Sequence, residues 1–176
     1  MTEERGIGTR DLAAGGLVVW IVLGLAGTLA GPGTTQQVTF AISALGLVTG
    51  GALLSVRQFR AGAATVATGF ALLVLAESHA LGLAAGGVAA TASVGMSAAL
   101  YVPGLLLVSI PSVLPGVARI AGVIATIPFA ALAALYTTGM HVDPANPFAG
   151  AGYGLMSIAV VVWVYALYRP DNPSFL

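Results

Sequence analysis

The segment 57–79, RQFRAGAATVATGFALLVLAESH, decides how this chain is organised. It begins with Arg57 and Arg60, continues as an apolar run rich in alanine, and ends with Glu77 and His79. About 20 apolar residues cross the roughly 30 Å hydrocarbon core of a bilayer. The segment therefore predicts a membrane helix with positive charge at one end and ionisable groups toward the other.

The composition of the whole chain is that of a membrane protein. Of 176 residues, 58% are hydrophobic and 7% are charged, whereas soluble domains carry about 25% charged residues. Cysteine is absent, which excludes disulfides, thiolate metal sites and cysteine nucleophiles. Lysine is also absent, so a Schiff base with retinal or pyridoxal cannot form. The chain is predicted to be an integral membrane protein without enzymatic activity.

Six apolar runs predict an all-α protein with six transmembrane helices. The expected organisation is a tail at 1–11, a membrane domain at 12–168 and a second tail at 169–176. The predicted spans are 12–30, 38–56, 61–79, 91–110, 117–136 and 148–168, and the residues 57–60 are predicted to form a turn. The first uncharged run is 19 residues long, whereas the core of a signal peptide has about 7–15. We therefore expect it to be a retained helix.

The arginines support the count of six spans. All of them fall on one side of the predicted membrane: Arg5, Arg10, Arg57, Arg60, Arg119 and Arg169. The positive-inside rule then predicts that both termini are cytoplasmic and that the chain is a multi-pass protein of the cell (inner) membrane. Glu77, His79, His141 and Asp143 lie toward the opposite face. Trp163, Tyr165 and Tyr168 fit an aromatic belt at the inner interface.

Glycines repeat at four-residue spacing in several places. Three such pairs are Gly46 and Gly50, Gly82 and Gly86, and Gly150 and Gly154. Such pairs lie on one helix face and allow two helix backbones to approach closely. The contacts are either within one subunit or between subunits of a homo-oligomer.

Two motifs resemble the acetate uptake transporter family, of which the succinate–acetate permease is the best-known type. The series Phe59, Arg60, Gly62, Thr65, Thr68 and Phe70 is similar to that family's basic loop followed by G-N-T-F-x-x-T-x-F. The stretch AGYGLMSIA at 151–159, with Trp163 to Ala166, resembles its closing G-Y-x-G-I motif. The resemblance covers residues 57–168. It implies a six-helix fold, a hexamer and a narrow pore for acetate-like monocarboxylates in each protomer.

The chain departs from that family in two segments. The N-terminal signature N-P-x-P-L-G-L is missing, and TRDLAAG stands at 9–15 instead. The third-helix run Ser-Tyr-Gly-x-Phe-Trp falls on LLVLAE at 72–77, where a tyrosine is lost and the carboxylate of Glu77 is gained.

Glu77 is the leading candidate for a functional residue. A carboxylate within a membrane helix costs about 2.5–3.5 kcal/mol at mid-bilayer, so it indicates function by default. Glu77 either exchanges a proton and tunes an outer vestibule, or lies wetted and inert at the headgroups. His79, about 200° further around the helix, either senses external pH or is equally inert.

Other candidates have a functional and a structural interpretation. Arg119 either attracts anions to a cytoplasmic mouth or snorkels to the interface. The hydroxyl groups within the predicted spans either line a pore or form hydrogen bonds to the helix backbone. They belong to Thr68, Thr65, Thr126, Ser97, Ser109 and Ser157. Phe129, Leu132 and Tyr153 match positions where the resembled family narrows its pore or packs its closing helix, and are otherwise core residues. Two distant histidines do not require a metal, and no cofactor is expected.

The predicted function is a channel or transporter for a small monocarboxylate or other small solute. The alternative is a structural or accessory subunit, without transport activity, of a larger membrane complex. A spread of small residues and the missing N-terminal signature favour that alternative.

Overall fold

All the regular structure in the described residues of the computed structural model, which are 8–85, 90–140 and 146–168, is α-helical. The helices are α1 (Thr9–Leu29), α2 (Thr34–Arg60), α3 (Ala64–Ala85), α4 (Ala90–Ser109), α5 (Gly116–Thr137) and α6 (Pro147–Leu167). Five of them are long and apolar enough to cross a membrane, and α4 contains a shorter apolar stretch, Val94–Ser109. The chain is therefore a six-helix, multi-pass membrane protein, as predicted.

The six helices form a closed ring. Each helix packs against its neighbours in the chain, and α1 also packs against α6. At this last join the Tyr168 hydroxyl donates a hydrogen bond of 3.0 Å to Oδ1 of Asp11. The guanidinium carbon of Arg10 lies 4.9 Å from the centroid of the Tyr168 ring. Closure of the ring gives the bundle an interior that is shielded from lipid.

Glycines bring α1 and α2 into backbone contact. A Cβ atom added at Gly46 would lie 2.6 Å from the Gly16 carbonyl oxygen, and one at Gly50 would lie 2.8 Å from the Ala13 carbonyl oxygen. The first predicted pair thus packs within the subunit. By contrast, Cβ atoms added at Gly150, Gly154 or Gly82 would meet nothing within 4 Å. Those glycines face away from the bundle.

Two helix ends differ from the sequence prediction. Helix α2 continues through Arg60, so Arg57 and Arg60 belong to its last turn and not to a loop. Helix α3 continues beyond His79 to Ala85. Hydropathy marks only the part of a helix inside the hydrocarbon, whereas the helix itself extends into the headgroup layer. Arginine is also favourable in the last turn, where the helix dipole is negative.

The described arginines lie at one end of the bundle, called here the arginine end. Helices α1, α3 and α5 start there, and α2, α4 and α6 finish there, which places Arg10, Arg57, Arg60 and Arg119 together. Several predicted features lie outside the described residues: the segment 1–7 with Arg5, Gly86, His141, Asp143, and the segment 169–176 with Arg169. The side of the membrane on which the arginine end lies stays a prediction.

Candidate functional site

Glu77 lies near the middle of α3 and is buried. It comes 13 residues after Ala64 and eight before Ala85, about 20 Å and 12 Å from the two helix ends at 1.5 Å per residue. Only 7% of its surface is exposed. The structure therefore places this carboxylate inside the bundle, so the interpretation that it is wetted is wrong.

Two donors from other helices hold the Glu77 carboxylate. The indole Nε1 of Trp20 in α1 donates to Oε1 at 3.2 Å, and the hydroxyl of Tyr101 in α4 donates to Oε2. Both donors are buried, at 4% and 0% exposure. An ionised carboxylate only accepts hydrogen bonds, so each of its oxygens has a suitable partner. These bonds offset part of the cost of burying the acid.

Three aromatic rings pack against one another beside the acid. Tyr101 stacks on Phe129 of α5 with ring centroids 4.6 Å apart and planes at 25°. Tyr153 of α6 meets both rings edge to face, at 5.8 Å from Tyr101 and 5.5 Å from Phe129. Gly152 allows this packing, because a Cβ there would lie 2.9 Å from Cε1 of Phe129. The rings fill the interior at the depth of Glu77.

We call these five residues, Trp20, Glu77, Tyr101, Phe129 and Tyr153, the central cluster. They come from α1, α3, α4, α5 and α6, so the cluster occupies the inside of the ring. Two buried serines fix the backbone around it. The Ser43 hydroxyl donates to the carbonyl of Trp20 at 2.7 Å, and the Ser97 hydroxyl donates to the carbonyl of Ala76 at 2.9 Å.

The structure brings together three of the residues singled out from the sequence. Glu77, Phe129 and Tyr153 are joined through Tyr101. Leu132 is fully buried on the same helix as Phe129.

Sequence reasoning missed Trp20 and Tyr101. A signal was present for Trp20, because an indole N–H in the middle of an apolar run needs an acceptor, and Glu77 is the chain's most central acid.

Three other predicted residues lie outside the central cluster. Thr68 is exposed on the bundle surface, and its hydroxyl donates to the Ala64 carbonyl of its own helix at 2.9 Å. His79 is partly exposed and, two residues after Glu77, points to another side of α3. Arg119 donates through Nε to the Ser109 carbonyl at 3.1 Å and through Nη2 to the Ile110 carbonyl at 2.8 Å. It therefore caps the end of α4.

The intramembrane hydroxyls mostly bond to backbone. Thr126 and Ser157 donate to carbonyls of their own helices, at 2.6 Å and 2.8 Å, and Thr65 is exposed. Ser109 differs, because its buried Oγ has no partner among the described residues. Trp163 is also not the interfacial residue that was predicted. It is 0% exposed and lies in the core, whereas Tyr165 and Tyr168 are exposed at 60% and 48%.

Within the described ranges, no group of three or more His, Asp or Glu side chains is placed to hold a metal ion. The comparisons with known proteins found no match: no protein family, no curated protein and no solved structure.

Proposed function

We propose that this chain is a transporter for a small solute, a monocarboxylate such as acetate, and that Glu77 carries a proton during transport. The observation that supports this proposal is a carboxylate in a membrane helix that is buried inside the bundle and bonded to side chains of two other helices. A leucine at this position would fill the core without the cost of burying a charge, about 2.5–3.5 kcal/mol on insertion scales. An ionisable residue inside a membrane bundle therefore favours a functional role.

The aromatic rings of the central cluster pack together inside the ring of helices. Tyr101, Phe129 and Tyr153 are in ring contact with one another, so a solute that crosses through the ring has to displace them. Transport through the interior therefore requires a change of side-chain rotamer or a separation of helices. A closed centre with movable aromatic rings suits a carrier better than an open pore.

Protonation of Glu77 would couple the transport of the solute to the transport of a proton. The ionised carboxylate repels a carboxylate solute and keeps the Trp20 and Tyr101 donors engaged. The protonated acid is neutral and holds those donors less strongly, so they become available to the oxygens of the solute. One anion and one proton then cross together, without net movement of charge.

The membrane and the assembly are further parts of this proposal. The arginine end is assigned to the cytoplasm by the positive-inside rule, and the membrane is the cell (inner) membrane. The outward-facing Gly150 and Gly154 support a homo-oligomer, and the family resemblance implies a hexamer. Helices α5 and α6 also form an apolar groove of about 260 Å³, lined by Val117, Ile120, Ala121, Ile124, Leu155 and Ile158.

The test is uptake of labelled acetate into proteoliposomes of the purified chain, at about pH 5.5 and about pH 7.5 outside. Undissociated acetic acid crosses bare lipid, so the quantity to measure is the part of uptake that excess unlabelled acetate inhibits. Saturable uptake above that of empty liposomes supports the proposal. Uptake equal to that of empty liposomes, checked also with formate, succinate and urea, refutes it.

The second candidate function is a structural or accessory subunit of a larger membrane complex. The closed centre and the outward-facing Gly150 and Gly154 favour it, because they provide a packing surface without an open path. Purification from native membranes in mild detergent separates the two candidates. Recovery only with unrelated subunits supports the accessory role, and a homo-oligomer of defined size contradicts it.

A further inference from the structure

Four buried side-chain atoms at the arginine end have no hydrogen-bond partner among the described residues. They are Nε2 and Oε1 of Gln58, Oγ of Ser109 and Nε1 of Trp163. The three residues are 0%, 1% and 0% exposed. The buried hydroxyls of Ser43 and Ser97, near the central cluster, are both bonded to carbonyls. Unsatisfied buried polar groups are rare in proteins, and each calls for an explanation such as a bound water, ion or ligand.

The three side chains lie at similar depth on helices that finish at the arginine end. Gln58 is two residues from the end of α2, Ser109 is the last residue of α4, and Trp163 is four residues from the end of α6. Each of the three residues is therefore at most about 6 Å from the end of its helix, measured along the helix axis.

Gly122 of α5 is the point at which Ser109 and Trp163 meet. A Cβ added at Gly122 would collide with Oγ of Ser109 and would lie 3.7 Å from Cζ2 of Trp163. On its other side Trp163 meets Phe70 of α3 edge to face, with centroids 5.5 Å apart. Gln58 lies next to the start of α3, because its carbonyl accepts the Ala63 N–H at 2.9 Å.

We propose that Gln58, Ser109 and Trp163 form a binding site for the carboxylate group of a small acid. Nε2 of Gln58, Oγ of Ser109 and Nε1 of Trp163 supply N–H or O–H donors, and a carboxylate supplies only acceptors. Oε1 of Gln58 is itself an acceptor and takes no part in holding the anion. Arg119 adds positive charge beside them, since its Nε bonds the carbonyl of Ser109 at 3.1 Å. This donor set, together with a nearby cation, selects an anion over a neutral molecule of the same shape.

The role of this site, which is to hold the solute before it reaches Glu77, depends on the proposed function. Leu73 and Phe70 of α3 lie between Glu77 and the arginine end, and they are 0% and 1% exposed. This apolar layer separates the carboxylate site from the central cluster. An anion that is held at Gln58, Ser109 and Trp163 is thereby kept away from the charge on Glu77.

Tryptophan fluorescence tests the site directly. The chain has two tryptophans, so Trp20→Phe leaves Trp163 as the reporter. Sodium acetate titrated into this variant in detergent is expected to change the Trp163 emission saturably, whereas acetamide and sodium chloride at equal concentration are not. Adding Ser109→Ala should raise the apparent Kd about tenfold, which is the effect of losing one hydrogen bond to a charged acceptor.

Ser97→Ala is the matched control, because Ser97 is an equally buried serine of α4 with a backbone partner. It should leave the acetate response unchanged. Ser109→Ala removes a hydroxyl that makes no hydrogen bond within the described protein, so this variant is expected to fold, which elution as the same single peak checks.

Three outcomes overturn the site: no response to acetate, an equal response to acetamide, or an equal effect of the two serine substitutions. The polar atoms then hold water only. Acetate uptake by wild-type proteoliposomes without a Trp163 response refutes this site and leaves the proposed function standing. A saturable response without uptake supports the site and refutes transport.

Discussion

The indole nitrogen of Trp20 donates a 3.2 Å hydrogen bond to the carboxylate of Glu77, 57 residues further along the chain. This bond joins α1 to α3, although in the ring α2 lies between them. It therefore shows that both side chains point into the interior and not toward lipid. These two buried side chains can exchange their hydrogen bond for bonds to water only if the bundle opens. The bond is therefore a marker of the closed state.

Glu77→Gln is expected to remove the pH dependence of acetate uptake. The amide keeps the size of the acid and an oxygen that accepts hydrogen bonds, but it does not titrate. Wild-type uptake should be faster with acid outside, because the protonated form binds solute. In the variant, the saturable uptake should be the same at about pH 5.5 and about pH 7.5.

Asp11→Asn is the matched control for that experiment. Asp11 is a carboxylate at the arginine end that accepts from Tyr168, and it is not part of the central cluster. Its replacement should leave the pH dependence as in the wild type. An unaltered pH profile in Glu77→Gln would contradict proton transfer at Glu77.

Trp20→Phe should destabilise the protein more than Trp163→Phe. Both substitutions shorten a buried tryptophan, at 4% and 0% exposure, but only Trp20 makes a hydrogen bond within the described protein. Losing it leaves a buried charge with one fewer donor, at a cost of about 1–3 kcal/mol. Unfolding by denaturing detergent measures the difference. Equal losses, or a larger loss for Trp163→Phe, would show that packing outweighs the hydrogen bond.

Gly46→Ala should weaken the packing of α1 on α2. The new methyl group would lie 2.6 Å from the Gly16 carbonyl oxygen, so the two backbones have to move apart. Overpacking of this kind costs about 1–3 kcal/mol. Gly82→Ala is the control, because its methyl would meet nothing within 4 Å and alanine favours a helix by roughly 0.5–1 kcal/mol. Thermal unfolding in detergent should rank Gly46→Ala below wild type and Gly82→Ala at or above it.

Arg119→Gln should destabilise the end of α4. The guanidinium group donates hydrogen bonds to the carbonyls of Ser109 and Ile110. The last carbonyls of a helix have no N–H of a following helical turn to bond with, so they need such a partner. The loss should be about 1 kcal/mol. Arg60→Gln removes the same charge from an exposed position and should change stability by less than about 0.5 kcal/mol. Similar losses in both variants would attribute the effect to charge alone.

The assembly state can be tested at the outward face of α6. If copies of the chain meet there, the double variant Gly150→Leu, Gly154→Leu should lower the mass in mild detergent from an oligomer to a monomer, because leucine prevents close helix approach. Gly82→Leu is the control, since Gly82 also faces away from the bundle but belongs to α3. A wild-type mass equal to that of one chain would contradict the homo-oligomer.

Most of the fold was predictable because membrane insertion depends on local sequence. Hydropathy located the helices, and the positions of the arginines correctly indicated which helix ends lie at the same end of the bundle. The helix boundaries were less accurate, as Arg60 and Ala85 show, because a helix continues beyond the hydrocarbon that hydropathy detects.

The candidate site was predictable only in part. Glu77 stands out in any apolar run, but its exposure depends on how α3 is rotated in the bundle. Trp163 shows the same limit: the prediction placed it in an interfacial belt, and the structure buries it completely. The spans are apolar almost all round, so the pattern carries little information on which face points inward.

The sequence alone thus determined a six-helix membrane protein with arginines at one end and an acid in its third helix, because residue count, hydropathy and charge act along the chain. Tertiary structure alone decided that Trp20 and Tyr101 meet that acid and that Phe129 and Tyr153 close the space beside it. It did so through glycine contacts such as Gly46 with Gly16 and Gly152 with Phe129, which set the rotation and spacing of neighbouring helices. Those contacts join residues that are distant in the chain. They depend on how the surfaces of neighbouring helices fit together, which is a property of the packed structure and not of any one segment.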